Sequence, residues 1–370
     1  MKIIFSSNSS WSVYNFRKNL LAELNDQGHE VTVVAPSGPY LKKLGDMGFK
    51  TSPIKLDSGS TGIFDNLQLL LSLYKKYKLL KPDIVLHNAV KPNIYGAIIC
   101  RWLKIPVINN ISGLGTIFLS DNFTSKIGKL LYRFSQKKVK IIFFQNPTDL
   151  LLFKKKNLVR TNQAFLLPGS GVDLNRFVPV RNERDDNIIR FCYVGRLLKD
   201  KGIYELIDAI RVIKSKNLNC EFYIMGELYE QNPTAIKKKQ LDTWIDEKLI
   251  IFLGKTDNVE NELFKFDCIV LPSYREGLSR VLLEASAMAI PCITTNVPGC
   301  IDVIEHQKNG LICEVKNSED LALQIERFTN FSKEKRNEMG AYGRKKVVAE
   351  FDEKIVIEKY IEAIRNITIK

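Results

Sequence analysis

Read for apolar and polar positions, the chain repeats one theme. A short apolar run, "KIIF", is followed by the amphipathic stretch "YNFRKNLLAELNDQGH" and then by a second apolar run, "EVTVVAP". Gly28 stands just past the amphipathic stretch, where a glycine commonly stops a helix. The theme continues through "PDIVLHNA", "NIYGAIICRWLK", "IPVINNIS" and "VKIIFFQN". Strands that alternate with helices predict a parallel sheet covered by helices on both faces.

Near residue 165 the rhythm restarts. "AFLLPGSGVDLNRFVPV" is punctuated by Gly and Pro, and "RNERDDN" is a polar spacer. Four more apolar runs follow, "IIRFCYVGRL", "CEFYIMGEL", "LIIFLGK" and "FDCIVLPSY", with helical patterns between them. The tail after residue 318 is helical and ends in "DEKIVIEKYIEAIRNI". The expected fold class is therefore α/β, with two Rossmann-like doubly wound domains in tandem, residues 1–168 and 169–350. Residues 351–370 form a last helix expected to pack back on the first domain. Ligands of such sheets bind where strands end, so the expected site is a cleft between facing domains, lined by residues that follow strands.

Composition changes this picture in two places. The 370 residues are 45% hydrophobic and 26% charged, ordinary for a globular protein of two domains. Seven cysteines include no Cys-x-x-Cys pair, and several sit in apolar runs, which suits buried thiols in a reducing compartment. "MKIIFSSNSSW" is too weakly apolar for a signal peptide, and no uncharged run is long enough to span a bilayer. The protein is therefore expected in the cytoplasm, peripheral on the inner face of the cytoplasmic membrane. The formal charge is +14, and residues 121–160 carry ten lysines and arginines against Asp121 and Asp149. There "SKIGKLLYRFSQKKVK" sets Ile127, Leu130, Leu131 and Phe134 among cations at helical spacing. Such a helix fits an anionic membrane surface or a phosphate-bearing partner; the plain alternative is a solvated face of a lysine-rich protein.

The candidate chemistry follows strands. In "VGRLLKDKG", Arg196 and Lys201 lie on a strand-to-helix turn, where a planar fork and a point charge suit a diphosphate. In "SYREGLSRVLLEASAMAIPCITTNVPGC", the turn "REGLS" feeds a helix with Ser279 as its expected N-cap. Amides around Gly277, Leu278 and Ser279 would then face an anion, with Gly277 allowing close approach. Glu276 and Glu284 are eight residues apart, about 12 Å if the span were all helix, too far to act as one carboxyl pair. Carboxylates accept hydroxyl hydrogen bonds, so a ligand with a diphosphate in the middle and a sugar at each end fits the spacing. Lys91 and Asn110 follow strand ends and are candidate contacts on the acceptor side, while His87 divides evenly between core and site. "SGLGT" lacks the full G-x-G-x-x-G pattern, and the scattered histidines give no support to a metal site.

"EGLSRVLLEA" with "PCITTNVPGCIDVIEHQKNGLIC" resembles the donor signature of retaining glycosyltransferases of family 4, which have the GT-B fold. "VGRLLKDKG" resembles that family's phosphate-binding element, and "GSGVDLNRF" its lead into the C-terminal domain. The resemblance implies Arg196 and Lys201 on a donor diphosphate, Glu276 on the transferred sugar and Glu284 on the ribose. "VYNFR" and "HNAVKPNIYG" resemble a subgroup that extends lipid-diphosphate-linked sugars, although "SSNSSW" replaces the glycine turn many members carry after the first strand. The expected activity is transfer of a hexose or N-acetylhexosamine from a UDP-sugar to an undecaprenyl-diphosphate-linked glycan in surface polysaccharide or glycoprotein glycan assembly. Neither a cofactor nor a metal is expected, and nucleic acid is not an expected partner. The rival readings are a nucleotide-sugar 2-epimerase of the same plan and a basic phosphate- or nucleic-acid-binding protein.

Overall fold

Seven strands build the sheet of the first unit in this computed structural model, which describes all residues except 57–61, 115–122, 181–183, 185, 231, 233 and 369–370, and omits the side chains of Ile63, Phe123 and Thr124. The elements run β1 (Lys2–Ser7), α1 (Ser10–Phe16), α2 (Lys18–Asp26), β2 (Glu30–Pro36), α3 (Pro39–Asp46), β3 (Lys50–Ile54), α4 (Ile63–Leu80) and β4 (Ile84–Asn88). A π-turn (Pro92–Gly96) leads into α5 (Ala97–Leu103), β5 (Val107–Ile111), α6 (Phe123–Ser135), β6 (Ile141–Phe144), α7 (Pro147–Lys155) and β7 (Ala164–Leu166). The strand order is β3-β2-β1-β4-β5-β6-β7, and every neighbouring pair is parallel. The central strands are buried along their whole length, as in "IVLHN" of β4, because helices cover both faces.

Two strands of this sheet escaped the sequence pattern for identifiable reasons. β3 is the edge strand "KTSPI", where Pro53 removes a backbone donor at the one place in a sheet that tolerates the loss. β7 is only "AFL", too short to stand out from the Gly/Pro-rich segment after it. The stretch read as one helix near the N-terminus is two, broken at Arg17, whose φ is −135°. The basic helix is also shorter than its pattern: α6 stops at Ser135, and Gln136–Lys138 tighten into a 3₁₀ turn.

The second unit repeats the plan with β8 (Ile189–Val194), α8 (Ile203–Ser215), β9 (Cys220–Met225), α9 (Lys238–Asp246), β10 (Ile251–Gly254), α10 (Glu260–Leu263) and β11 (Cys268–Leu271). It continues through α11 (Arg280–Ala287), β12 (Cys292–Thr295), β13 (Gly310–Cys313), α12 (Ser318–Thr329) and α13 (Lys333–Glu350). Its six-stranded parallel sheet has the order β10-β9-β8-β11-β12-β13. All seven cysteines are buried free thiols, six of them in this unit, acting as small apolar side chains.

The units comprise Met1–Ser170 with Lys354–Lys370, and Gly171–Glu353. The last helix, α14 (Glu353–Thr368), thus belongs mainly to the first unit. There Val356, Tyr360, Ala363 and Ile364 share a core with β1, β2 and α2, and the Tyr360 ring lies 5.1 Å from that of Phe143. Arg17 is buried at the α1–α2 break with its guanidinium 5.7 Å from the same Tyr360 ring.

Candidate active site

In the second unit, the carboxyl ends of β8 and β11 bring the charged motifs together. Beyond β8 the backbone is fixed first: the Gly195 amide donates to Met225 O at 3.0 Å and the Tyr193 hydroxyl donates to Arg196 O at 2.7 Å. Arg196 itself is exposed, its guanidinium 5.8 Å from the Tyr229 ring. A 3₁₀ turn, Lys199–Lys201, then meets Gly202 in the left-handed region at φ +73°. A Cβ at Gly202 would lie 2.0 Å from Pro272 O, so glycine is what lets this turn seat against the end of β11.

That seating places Lys201 Nζ 2.5 Å from Glu276 Oε1, with 18% and 14% of the two side chains exposed. Two residues 75 apart in sequence therefore form one mostly buried ion pair at the mouth of two strand-end turns. The Glu276 turn is braced from behind by the end of β12 and the loop after it. Glu276 N donates to Pro298 O at 3.2 Å, Ser279 N donates to Gly299 O at 3.0 Å, and Thr295 Oγ1 donates to Ser273 O at 2.5 Å. Gly299, at φ +81°, would put a Cβ 2.6 Å from Glu276 O. The "VPGC" segment is thus a backstop for Glu276, a role that sequence spacing did not reveal.

The structure changes four details of the expected site. Ser279 does occupy the N-cap of α11, but its side chain makes no capping hydrogen bond and its amide is taken by Gly299 O. The Leu278 side chain is buried in the core of the unit, so its part in any ligand contact is confined to the main chain. Because α11 begins only at Arg280, the span from Glu276 to Glu284 is half turn and half helix. Glu284 is also not a lone carboxylate: Arg280 Nη2 donates to its Oε1 at 3.1 Å, and Arg280 Nη1 donates to Gly171 O.

Glu284 is 8% exposed, and burial pushes its carboxyl above the usual range, against the opposing pull of Arg280 and Arg176. Arg176 is held in turn by Glu260 at 2.8 Å. Arg280 and Arg176 were missed in the sequence. The four-residue spacing from Arg280 to Glu284 carried a usable signal for the first; nothing local pointed to the second.

In the first unit the acceptor-side candidates divide. Lys91 is half-buried and immediately precedes the π-turn. Asn110 lies within β5, not beyond it, and is fully buried, with its Nδ2 donating to Asn88 Oδ1 at 3.3 Å. An Asn packed inside the sheet holds strands together and cannot reach a ligand without local opening, which corrects its reading as a lining residue. His87 is core: its Nε2 is 3.0 Å from Tyr77 Oη, its Nδ1 is 2.9 Å from Asn109 Oδ1, and burial lowers its pKa to about 4. Of "SGLGT", Gly115 and Thr116 lie outside the described residues. Among the described residues no group of three or more His, Cys, Asp or Glu is arranged to hold a metal ion.

Two parallel Rossmann-like units, the second loaded with cations and carboxylates at its strand ends, define a glycosyltransferase of the GT-B fold. Residues 176–346 match the model of glycosyl transferases group 1, and residues 2–146 match the glycosyl transferase 4-like model. Across these two matches the chain belongs to the family 4 glycosyltransferases. It is 26% identical, over 98% of both chains, to the N,N'-diacetylbacillosaminyl-diphospho-undecaprenol alpha-1,3-N-acetylgalactosaminyltransferase of Campylobacter jejuni. It is 27% identical, over 83% of this chain and 80% of the other, to the UDP-Gal:alpha-D-GlcNAc-diphosphoundecaprenol alpha-1,3-galactosyltransferase of Escherichia coli. The solved structure of Anabaena HepE in complex with UDP and glucose has the same fold, with a TM-score of 0.81 at 17% identity over 98% of this chain and 99% of that one. These relatives are transferases, which sets the epimerase reading aside.

Proposed function

We propose that this glycosyltransferase moves a hexose or N-acetylhexosamine from a UDP-sugar to a hydroxyl of a lipid-diphosphate-linked glycan, with retention at the anomeric carbon. The observation that carries the reading is the Lys201–Glu276 pair, held at 2.5 Å beside the start of α11. In this account Arg196 and Lys201 take the diphosphate, the main chain of Gly277 and Leu278 borders it, Glu276 holds the transferred sugar and Glu284 the ribose. A cation already held against the sugar-binding carboxylate costs little reorganisation as charge develops on the leaving diphosphate. Two cations and a helix terminus then do the work a divalent ion does elsewhere, so transfer is expected to survive chelation. The relatives from Campylobacter jejuni and Escherichia coli, whose names specify diphosphoundecaprenol acceptors, support the choice of acceptor.

The outer helices of the first unit support work at an anionic membrane from the cytoplasmic side. α4, α5 and α6 bury Leu73, Ile99 and Tyr132 in one common core. Their outer faces leave Phe64 87%, Trp102 63% and Leu130 66% exposed, and Arg101 lies 5.1 Å from the exposed Phe134 ring. Apolar side chains among lysines match an interface of acyl chains and anionic head groups. No described helix is long and apolar enough to cross a membrane.

The test is transfer of labelled sugar from UDP-glucose, UDP-galactose and their N-acetylhexosamine counterparts to a short-chain polyprenyl-diphosphate sugar, with and without EDTA. Chelator-resistant transfer from at least one donor is expected. Release of free epimerised sugar without transfer, or binding of nucleic acid at the expense of donor, overturns the reading.

A further inference from the structure

A second basic site lies in the first unit, away from the strand ends. A pocket of about 350 Å³ is lined by Lys138, Val139, Lys140, Arg160, Asn162 and Gln163. Lys138–Lys140 lead into β6 and Arg160–Gln163 lead into β7, so the pocket opens at the amino ends of two parallel strands. Ligands of doubly wound sheets bind at the opposite, carboxyl edge. The donor-site chemistry makes no use of this place, although Lys138 and Lys140 end the basic segment read above as fitting an anionic surface or a phosphate-bearing partner; the inference below rests on that reading and gives it a defined pocket.

Arg160 is held there without a countercharge. Its Nε donates to Gln163 Oε1 at 2.8 Å and its Nη2 donates to Lys137 O at 3.0 Å. Gln163 is itself 3% exposed and anchored through its Nε2 to Gln136 O at 3.0 Å. Gln136 is fully buried, receives a 2.7 Å hydrogen bond from Asn109 Nδ2 and donates to Asn93 O at 2.9 Å. The guanidinium is therefore oriented by neutral amides tied into the core. Among the described residues no carboxylate lies within ion-pair distance of Lys138, Lys140 or Arg160. Lys138, Lys140 and Arg160 are exposed and line one open pocket.

We infer that this pocket binds a phosphate group. A planar guanidinium offers paired donors to phosphate oxygens, and two ammonium groups add point charge. The volume is at the small end for ligand sites, which suits one phosphorylated head rather than a nucleotide. The phosphate has two possible sources, the head group of an anionic lipid or a free phosphomonoester. The 3₁₀ turn that carries Lys138 follows α6 directly, placing the pocket just past the exposed Phe134.

The test compares wild type, Lys138→Gln/Lys140→Gln, Arg160→Lys, and Lys154→Gln/Lys155→Gln, which loses equal charge on α7. Calorimetry with glycerol 3-phosphate probes the free source. Co-sedimentation with phosphatidylcholine vesicles, with and without phosphatidic acid, probes the lipid source. The Lys138/Lys140 variant is expected to lose roughly tenfold or more in affinity for at least one probe, the loss of a charge-assisted hydrogen bond, while the α7 variant is unchanged. Arg160→Lys keeps the charge but loses the fork and should fall between them. Vesicle binding alone assigns a lipid head group; binding of both probes assigns the phosphate group whatever carries it. Equal losses in the pocket and α7 variants, or no binding of either probe by wild type, overturn the inference. UDP affinity and transfer to a water-soluble acceptor should be unchanged in the Lys138/Lys140 variant, which keeps this test separate from the donor-site reading.

Discussion

The two units share a strand order and use it differently. In the first, the centre of the sheet is tied by neutral polar groups: His87 with Tyr77 and Asn109, Asn109 with Gln136, and Asn110 with Asn88. In the second, the strand-end turns and the helix after β11 carry charge, with Lys201 against Glu276 and Arg280 against the buried Glu284. A buried neutral network rigidifies, and each member that loses its partner costs stability. A partly exposed ion pair at a turn keeps donors and acceptors within reach of a ligand. One topology thus serves as scaffold in the first unit and as reaction surface in the second.

The comparison predicts opposite kinds of damage. The largest effect belongs to Lys201→Ala, which removes the cation beside the diphosphate and should lower turnover by about 10²–10³-fold, as loss of an electrostatic stabiliser does elsewhere. Folding stability should fall as well, because Glu276, 14% exposed, loses its cation, so turnover is compared per folded molecule. Unchanged turnover would remove Lys201 from the chemistry and leave the pair as a brace for the turn.

Next in size is Asn109→Ala in the first unit. It strips partners from buried His87 and Gln136 and should cost about 1–3 kcal/mol in urea unfolding. Activity per folded molecule should be preserved. Lost turnover without lost stability would make the network part of the catalytic machinery.

The smallest effect is Glu305→Gln, a control inside the second unit but away from the donor turns. Glu305 accepts from Lys346 at 2.8 Å and Lys308 at 2.9 Å, and these partners hold its carboxyl down at about 2. A depressed carboxyl adds stability above its ordinary value of 4.5 and loses it as pH falls toward 2. The variant should be about 1 kcal/mol less stable at neutral pH, since such exposed pairs are individually weak. The gap should close in acid. A gap that stayed constant down to pH 2 would place the loss in packing instead of charge.

What the sequence disclosed follows the same division. Strands buried on both faces leave continuous apolar runs, so most of both sheets was readable, except for β3 with its proline, three-residue β7 and β13, whose short "GLIC" was not read as a strand. The donor turns were readable because Arg196, Lys201, Glu276 and Glu284 sit at short spacings around glycines just after strands. The His87–Asn109–Gln136 network was not, because its members come from β4, β5 and the turn after α6 and meet only when the sheet closes. Gly299 was opaque for a similar reason: the space a side chain there would need is taken by Glu276 O, on a neighbouring loop. Asn110 was misjudged because the β5 pattern did not show where the strand ends.

The most direct measurement is UDP affinity and sugar-transfer rate, side by side, for Glu276→Gln and Glu284→Gln. Glu276→Gln should bind UDP nearly as wild type and turn over far more slowly, because its contact is to the group that moves. Glu284→Gln should weaken UDP and UDP-sugar together. In wild type, UDP affinity should fall as pH drops through the Glu284 carboxyl, which burial holds above 4.5, since protonation removes the anionic acceptor, and Glu284→Gln should abolish that dependence. Equal loss of UDP binding in both variants, or unchanged turnover in both, would contradict the division of labour between the two glutamates.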